Sequence, residues 1–193
     1  PQGFGYLSMK PGLDSRLIRV VAGTVLFVLL AGGAALAHVS SDDMPDSVAE
    51  VEYAIFLEFK PDDPVVRNKL GMVYFRLNKL EEAVREFGRV LQRDPKNYDA
   101  LDGMGLVQAA RQDFTAAISY HRQAIAVNAD DMMGYYHLGS ALEKKGAPRE
   151  ALEAYRTALA RFTAQDQPDR ENAKAAEFGE TIRAAIRNIE SNL

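Results

Sequence analysis

The side chains in this sequence best suited to metal or acid–base chemistry are three histidines: His38, His121 and His137. A neutral imidazole binds transition metals, and its charge changes between pH 5 and 8. None of the three has a second histidine or a cysteine at metal-ligand spacing, and the chain has no cysteine at all. The sequence therefore predicts no metal site, no covalently attached haem and no disulfide.

Other reactive patterns are also missing from the sequence. It has no glycine-rich phosphate loop and no serine or cysteine nucleophile motif. Two acidic pairs, Asp62-Asp63 and Asp130-Asp131, stand before apolar stretches, where a carboxylate can cap the N-terminus of the next helix. The alternative for these pairs is calcium binding. We predict no catalytic and no cofactor-binding residues, and hence that the protein is not an enzyme.

Small and aromatic residues recur along the chain at a spacing of 34 residues. A glycine inside a helix costs about 1 kcal/mol relative to alanine. We therefore predict that each recurring glycine lies where two antiparallel helices pack closely, against the turn that carries the recurring alanine. A fixed period in this range is typical of stacked helical repeats. The recurring residues are Gly71, Gly105 and Gly139, then Ala83, Ala117 and Ala151, then Phe87, His121 and Tyr155.

The pattern resembles the tetratricopeptide repeat, a helix–turn–helix unit with a Leu-Gly pair, a following aromatic residue and a second helix marked by alanine, an aromatic ring and proline. The Leu70-Gly71 pair with Tyr74 and the segment "EEAVREFGRVLQRDP" carry the resemblance best. His121 departs from it by replacing the usual Phe or Tyr. The resemblance implies an all-α solenoid of helical hairpins over 64–165, with units at 64–97, 98–131 and 132–165.

Two further helices are predicted beside the three units. Residues 46–61 resemble the second helix of a unit that lacks its first helix, so the apolar residues Val48, Val51, Ile55 and Phe59 need a cover. We predict that they dock on a neighbouring subunit or on the outer end of a membrane anchor. An amphipathic helix over 170–193 is expected to cap the stack. The alternative is that this last helix docks a partner.

In this family the first helix of each unit lines a concave groove, which implies a binding surface for a helix or an extended segment of another protein. That surface mixes apolar side chains with charges of both signs. The alternative is that residues such as Phe75 and Leu106 only fill the core between units. The implied groove residues are Asn68, Lys69, Met72, Phe75 and Arg76 in the first unit, Asp99, Asp102 and Leu106 in the second, and Met133, Tyr136 and His137 in the third.

The N-terminal part of the sequence is predicted to cross a membrane. No charged residue occurs from Val20 to Ala37, and these eighteen residues would span about 27 Å as a helix. We predict a cytoplasmic arm over 1–15 and one transmembrane helix over 16–39 in the lipid bilayer, where Gly23, Gly32 and Gly33 allow close helix packing. The alternative is a cleavable signal peptide, since Ala35-Leu36-Ala37 fits a cleavage site.

The charge distribution indicates the orientation and the class of partner. Basic residues precede the apolar stretch and acidic residues follow it, so the positive-inside rule places the N-terminus in the bacterial cytoplasm and the repeats in the periplasm. The charges of residues 1–45 cancel, which leaves the net charge of −4 on the remaining domain. Such a domain does not suit nucleic acid.

We therefore predict a membrane-anchored scaffold that holds or helps assemble a membrane protein complex through other protein subunits. Two alternatives stay open. One is a periplasmic assembly factor or chaperone that binds client proteins, for example in cytochrome c maturation. The other is a self-assembling scaffold.

Overall fold

The computed structural model describes residues 44–164 and 173–193, and in these ranges the chain is all-helical. Helix α1 belongs to a compact unit that ends at Pro61, and the other helices belong to a second unit, Asp62–Leu193. The helices are α1 (Asp46–Phe59), α2 (Pro64–Arg76), α3 (Leu80–Arg93), α4 (Tyr98–Ala110), α5 (Phe114–Val127), α6 (Met132–Lys145), α7 (Pro148–Ala164) and α8 (Ala173–Ser191).

Helices α2 to α7 form three hairpins, α2 with α3, α4 with α5, and α6 with α7. The second helix of each hairpin also packs on the first helix of the next one, and α4 contacts both α2 and α6. This arrangement is a solenoid in which each unit touches only its neighbours. The predicted all-α solenoid of helical hairpins is therefore confirmed.

Side-chain caps begin the first helices of the units. The carboxylate of Asp63 accepts hydrogen bonds from the backbone N–H groups of Val65 and Val66. Asp131 caps α6 in the same way through the N–H of Met133. The predicted capping by the second residue of each acidic pair is confirmed, and it satisfies N–H groups that the helix itself leaves unpaired.

The turn inside each hairpin uses one residue in the left-handed backbone region. These residues are Asn78, Gln112 and Gly146, with φ of 56°, 64° and 82°. They are also 34 residues apart, so the same turn recurs in each unit. Only the third turn uses glycine, the residue that adopts this conformation without strain.

A ring from the second helix of each hairpin fills the space left by the recurring glycine on the first helix. A Cβ atom built on Gly71 would lie 2.7 Å from the ring of Phe87, and one on Gly105 would lie 2.4 Å from His121. Gly139 faces Tyr155 in the same way. The sequence correctly indicated a close approach, but the ring rather than the alanine turn is what meets the glycine. The alanines are fully buried beside it.

Helix α8 packs on α7. Its Ile182 and Ile189 are buried in the same apolar cluster as Tyr155 and Ala158 of α7. Leu193, at the end of the chain, stays exposed. Helix α8 therefore covers apolar surface that the third unit would otherwise present to solvent.

Several predicted features concern the N-terminal part of the chain. Within 44–164 and 173–193, no helix is both long enough and apolar enough to cross a membrane. The predicted arm, the span 16–39 and its glycines Gly23, Gly32 and Gly33 lie outside the described residues. On α1, the predicted docking residues Val48, Val51 and Ile55 are half-buried, whereas Phe59 is 80% exposed.

Candidate functional site

All eleven predicted groove residues lie on α2, α4 or α6, the first helices of the three units. Lys69, Arg76 and Asp99 are exposed, and Asn68 is buried. The other seven are half-buried, so they contribute both to the core and to the surface. Those seven are Met72, Phe75, Asp102, Leu106, Met133, Tyr136 and His137.

The most polar contact among these residues joins the second and third units. His121 Nδ1 lies 2.8 Å from Asp102 Oδ1, within the second unit. His137 Nδ1 of the third unit lies 2.8 Å from Oδ2 and 3.1 Å from Oδ1 of the same carboxylate. The ring centroids of the two histidines are 5.5 Å apart. We call Asp102, His121 and His137 the interunit triad.

Burial makes the interunit triad sensitive to charge. The side chain of His121 is 1% exposed, that of Asp102 13% and that of His137 15%. Burial raises the pKa of the Asp102 carboxyl, but the hydrogen bonds from His121 and His137 outweigh burial and lower this pKa below its usual range. The carboxylate is therefore ionised, and each imidazole presents a nitrogen to it.

The helices fix each side chain of the interunit triad. His121 occupies the ring slot against Gly105, so its ring plane is set by packing. Asp102 is one turn before Gly105 on α4, and His137 is on α6 of the next unit. Sequence reasoning treated the histidines as isolated because it compared neighbouring positions only. Repeat arithmetic could have found them, since Asp102 and His137 are 35 residues apart, one period plus one.

Negative charge surrounds the start of α4. Burial, followed by the charges of Asp102 and Asp131, raises the pKa of the Tyr98 hydroxyl above its usual range. Burial and the same two carboxylates also raise the pKa of Asp99. This end of the predicted groove therefore favours a cation or a basic group over an anion.

The first unit is joined to the second by amides. Asn68 Nδ2 donates to Asn97 Oδ1 at 2.8 Å, and that oxygen also caps α4 by accepting from the N–H of Ala100 at 3.1 Å. Beside it, Arg67 on α2 forms an ion pair with Glu86 on α3. A predicted groove residue, Asn68, is thus used within the fold.

The third unit uses aromatic contacts at the corresponding place. The Tyr136 ring lies 5.8 Å from Tyr155 and 5.2 Å from Phe178 of α8, measured between ring centroids. The Tyr155 hydroxyl donates to Glu143 at 2.9 Å. Burial, together with this bond to a carboxylate, raises the pKa of Tyr155 above its usual range. Tyr136 therefore also serves the packing of α8.

Comparisons with known proteins place this fold among named ones. The chain is 27% identical over 112 residues to the BBSome complex member bbs-4 of Caenorhabditis elegans, covering 58% of this chain and 24% of that protein. It is 31% identical over 110 residues to the peroxisomal targeting signal receptor of Eremothecium gossypii, covering 57% of this chain and 18% of that protein. The chain thus spans at most about a quarter of these relatives' length.

Two solved structures share the architecture. One is the type III secretion chaperone SycD of Yersinia enterocolitica in complex with a peptide of the translocator YopD, with a TM-score of 0.57, 17% identity and coverage of 65% of this chain and 91% of that one. The other is the first TPR of Spaghetti bound to an HSP90 peptide, with a TM-score of 0.51, 22% identity and coverage of 64% and 93%. At such identities the likeness shows the fold alone.

The family model of the tetratricopeptide repeat matches residues 33–100, 68–126 and 103–168, which together make up more than half of the chain. The glycine–ring pairs, the recurring turns and the hairpin stacking described above are the structural counterpart of that match. Proteins of this family mediate protein–protein interaction. The chain belongs to the tetratricopeptide repeat family.

Proposed function

We propose that this protein is a membrane-anchored scaffold subunit that binds a segment of another protein in its groove and so holds or helps assemble a bacterial membrane protein complex. The observation that carries the proposal is the surface of α2, α4 and α6. There, half-buried apolar side chains such as Met72, Leu106 and Met133 alternate with the exposed charges of Lys69 and Asp99.

This mixture suits a protein segment better than a small molecule. A bound helix or strand buries apolar anchors and leaves charges at the rim to set its register. SycD and the TPR of Spaghetti are both seen with a peptide. Their titles concern those proteins, but they support the expectation that this fold can hold an extended segment.

The bilayer attachment in the proposal depends on the uncharged stretch Val20–Ala37 and on the charges around it. A single-pass helix over 16–39 would keep the repeats at the periplasmic face of the cytoplasmic membrane. Protease added to intact spheroplasts should then digest residues 46–193. Protection until lysis would place the repeats in the cytoplasm instead.

The test of the groove is copurification after mild detergent extraction of the full chain. Leu106→Glu places a charge on the groove face, and Val127→Glu is the matched control because Val127 is exposed at the end of α5, a second helix. We expect partners to be lost from the first variant only, with helical content unchanged in both. Equal partner recovery from both variants would rule out the groove as the binding surface.

The same experiment separates the scaffold from its alternatives. A resident subunit brings partners down in fixed, stoichiometric amounts, whereas a chaperone brings down varied clients in substoichiometric amounts. A self-assembling scaffold yields only larger copies of itself.

A further inference from the structure

The interunit triad offers three metal-ligating groups that converge from three different helices. One carboxylate comes from α4, one imidazole from α5 and one imidazole from α6. A ligating atom from each residue lies within 4.8 Å of the other two. Two histidines and one carboxylate are a donor set found in zinc sites and in other divalent transition-metal sites.

The spacing of these atoms is close to what a metal needs. Zinc binds nitrogen and oxygen at about 2.0–2.2 Å, so ligand atoms around a tetrahedral ion are about 3.3–3.6 Å apart. The Nδ1 atoms of both histidines lie 2.8 Å from the Asp102 carboxylate oxygens. Binding therefore requires these atoms to separate by less than about 1 Å, with the metal replacing the two Nδ1 protons.

The surroundings also suit a cation. The charges of Asp99, Asp102 and Asp131 act together around the start of α4. His121 is held by packing against Gly105, whereas Asp102 and His137 each keep part of their side chain exposed. A rigid ligand on the inner side and a partly open outer side would give an ion both a fixed site and a route of entry.

We propose that Asp102, His121 and His137 bind one zinc ion, or a divalent transition metal of similar preference, between the second and third units. Three protein ligands leave one tetrahedral position for water or for an oxygen or nitrogen of a bound partner. The ion cross-links the two units, because His137 belongs to one of them and the other two ligands belong to its neighbour. This inference is independent of the proposed scaffold function.

The test uses the full chain, stripped with a chelator and then titrated with Zn²⁺. We expect one zinc per chain by elemental analysis and a rise in melting temperature that the chelator reverses. Binding of Co²⁺ should produce the d–d absorption of a site with few ligands. His137→Gln and Asp102→Asn should each weaken zinc binding on the order of 100-fold, since loss of even an outer-shell partner costs about 10–100-fold.

The chain supplies its own control, because His38 is the one histidine outside the triad. His38→Gln should bind zinc like the wild type, and far-UV circular dichroism should show that all the variants remain folded. Zinc binding that is absent at micromolar concentration, or equal in wild type, His137→Gln and Asp102→Asn, would overturn the proposal. The triad would then be a hydrogen-bonded cluster without a metal.

Discussion

Replacement of Gly105 by alanine tests whether the glycine–ring contact sets the packing of the repeat. The added Cβ would lie 2.4 Å from His121 Cε1 and 2.6 Å from His121 Nδ1, closer than carbon atoms pack. His121 is fully buried, so its ring has little room to retreat. Any shift of the ring also lengthens its 2.8 Å hydrogen bond to Asp102.

The expected magnitude follows from three opposing contributions. Alanine favours the helix by about 1 kcal/mol over glycine. Overpacking costs about 1–3 kcal/mol, and loss of a hydrogen bond to a charged group costs about 1.5–3 kcal/mol. The net loss of unfolding free energy is about 3 kcal/mol, which corresponds to a fall in melting temperature on the order of 10 °C for a chain of this size.

Gly88 is the matched control, because a Cβ added there meets no atom within 4 Å. Gly88→Ala in the middle of α3 should therefore raise the unfolding free energy by about 0.5–1 kcal/mol. The assay is thermal and urea unfolding of the full chain, followed by circular dichroism in one detergent-containing buffer. A Gly105→Ala protein that melts at or above the wild-type temperature would refute the reasoning. So would a Gly88→Ala protein that is destabilised as strongly as Gly105→Ala.

Two further predictions concern alkaline stability and the helix α1. The pKa of Tyr155 is raised in the fold, whereas an unfolded tyrosine titrates near 10. Its contribution to stability is therefore complete below pH 10 and is lost as the pH rises towards the folded pKa. Urea midpoints between pH 9 and about 11 should fall less steeply for Tyr155→Phe than for the wild type, and parallel curves would contradict this. Phe59 is 80% exposed on α1, so Phe59→Asp should change the unfolding free energy by no more than about 0.5 kcal/mol while reducing copurification of partners. Val127→Asp serves as its control, and full recovery of partners with Phe59→Asp would show that this part of α1 does not dock.

The period of the sequence was enough to predict the fold. Gly71, Gly105 and Gly139 cost helix stability, so their recurrence required a repeated close contact, and the structure supplies it with three rings. The identity of the contacting group was harder to predict. A glycine and a small alanine both indicate that backbones approach, and only coordinates show that the ring fills the gap while the alanine turn packs beside it.

The interunit triad was not predicted, for a physical reason. Metal-ligand motifs are recognised by short spacing because one turn of helix brings those residues together. In a solenoid, neighbouring units are stacked in register, so residues about one period apart become neighbours as well. Asp102 meets His137 in this way, across 35 residues. A search for ligand pairs in a repeat protein must therefore include separations near the repeat length.

One position of the repeat shows how a shared architecture acquires individual chemistry. Asn68, Asp102 and Tyr136 are 34 residues apart, and each contacts the element that follows its own unit. Asn68 does so through an amide bond to Asn97, and Tyr136 through its ring contact with Phe178. Asp102 does so through His137, and it also reaches the ring slot of its own unit, where histidine replaces the usual aromatic residue. Packing alone would accept a phenylalanine in that slot. A buried carboxylate beside it requires a donor, so His121 and Asp102 have to occur together, and the second unit is where the stack can hold a charge.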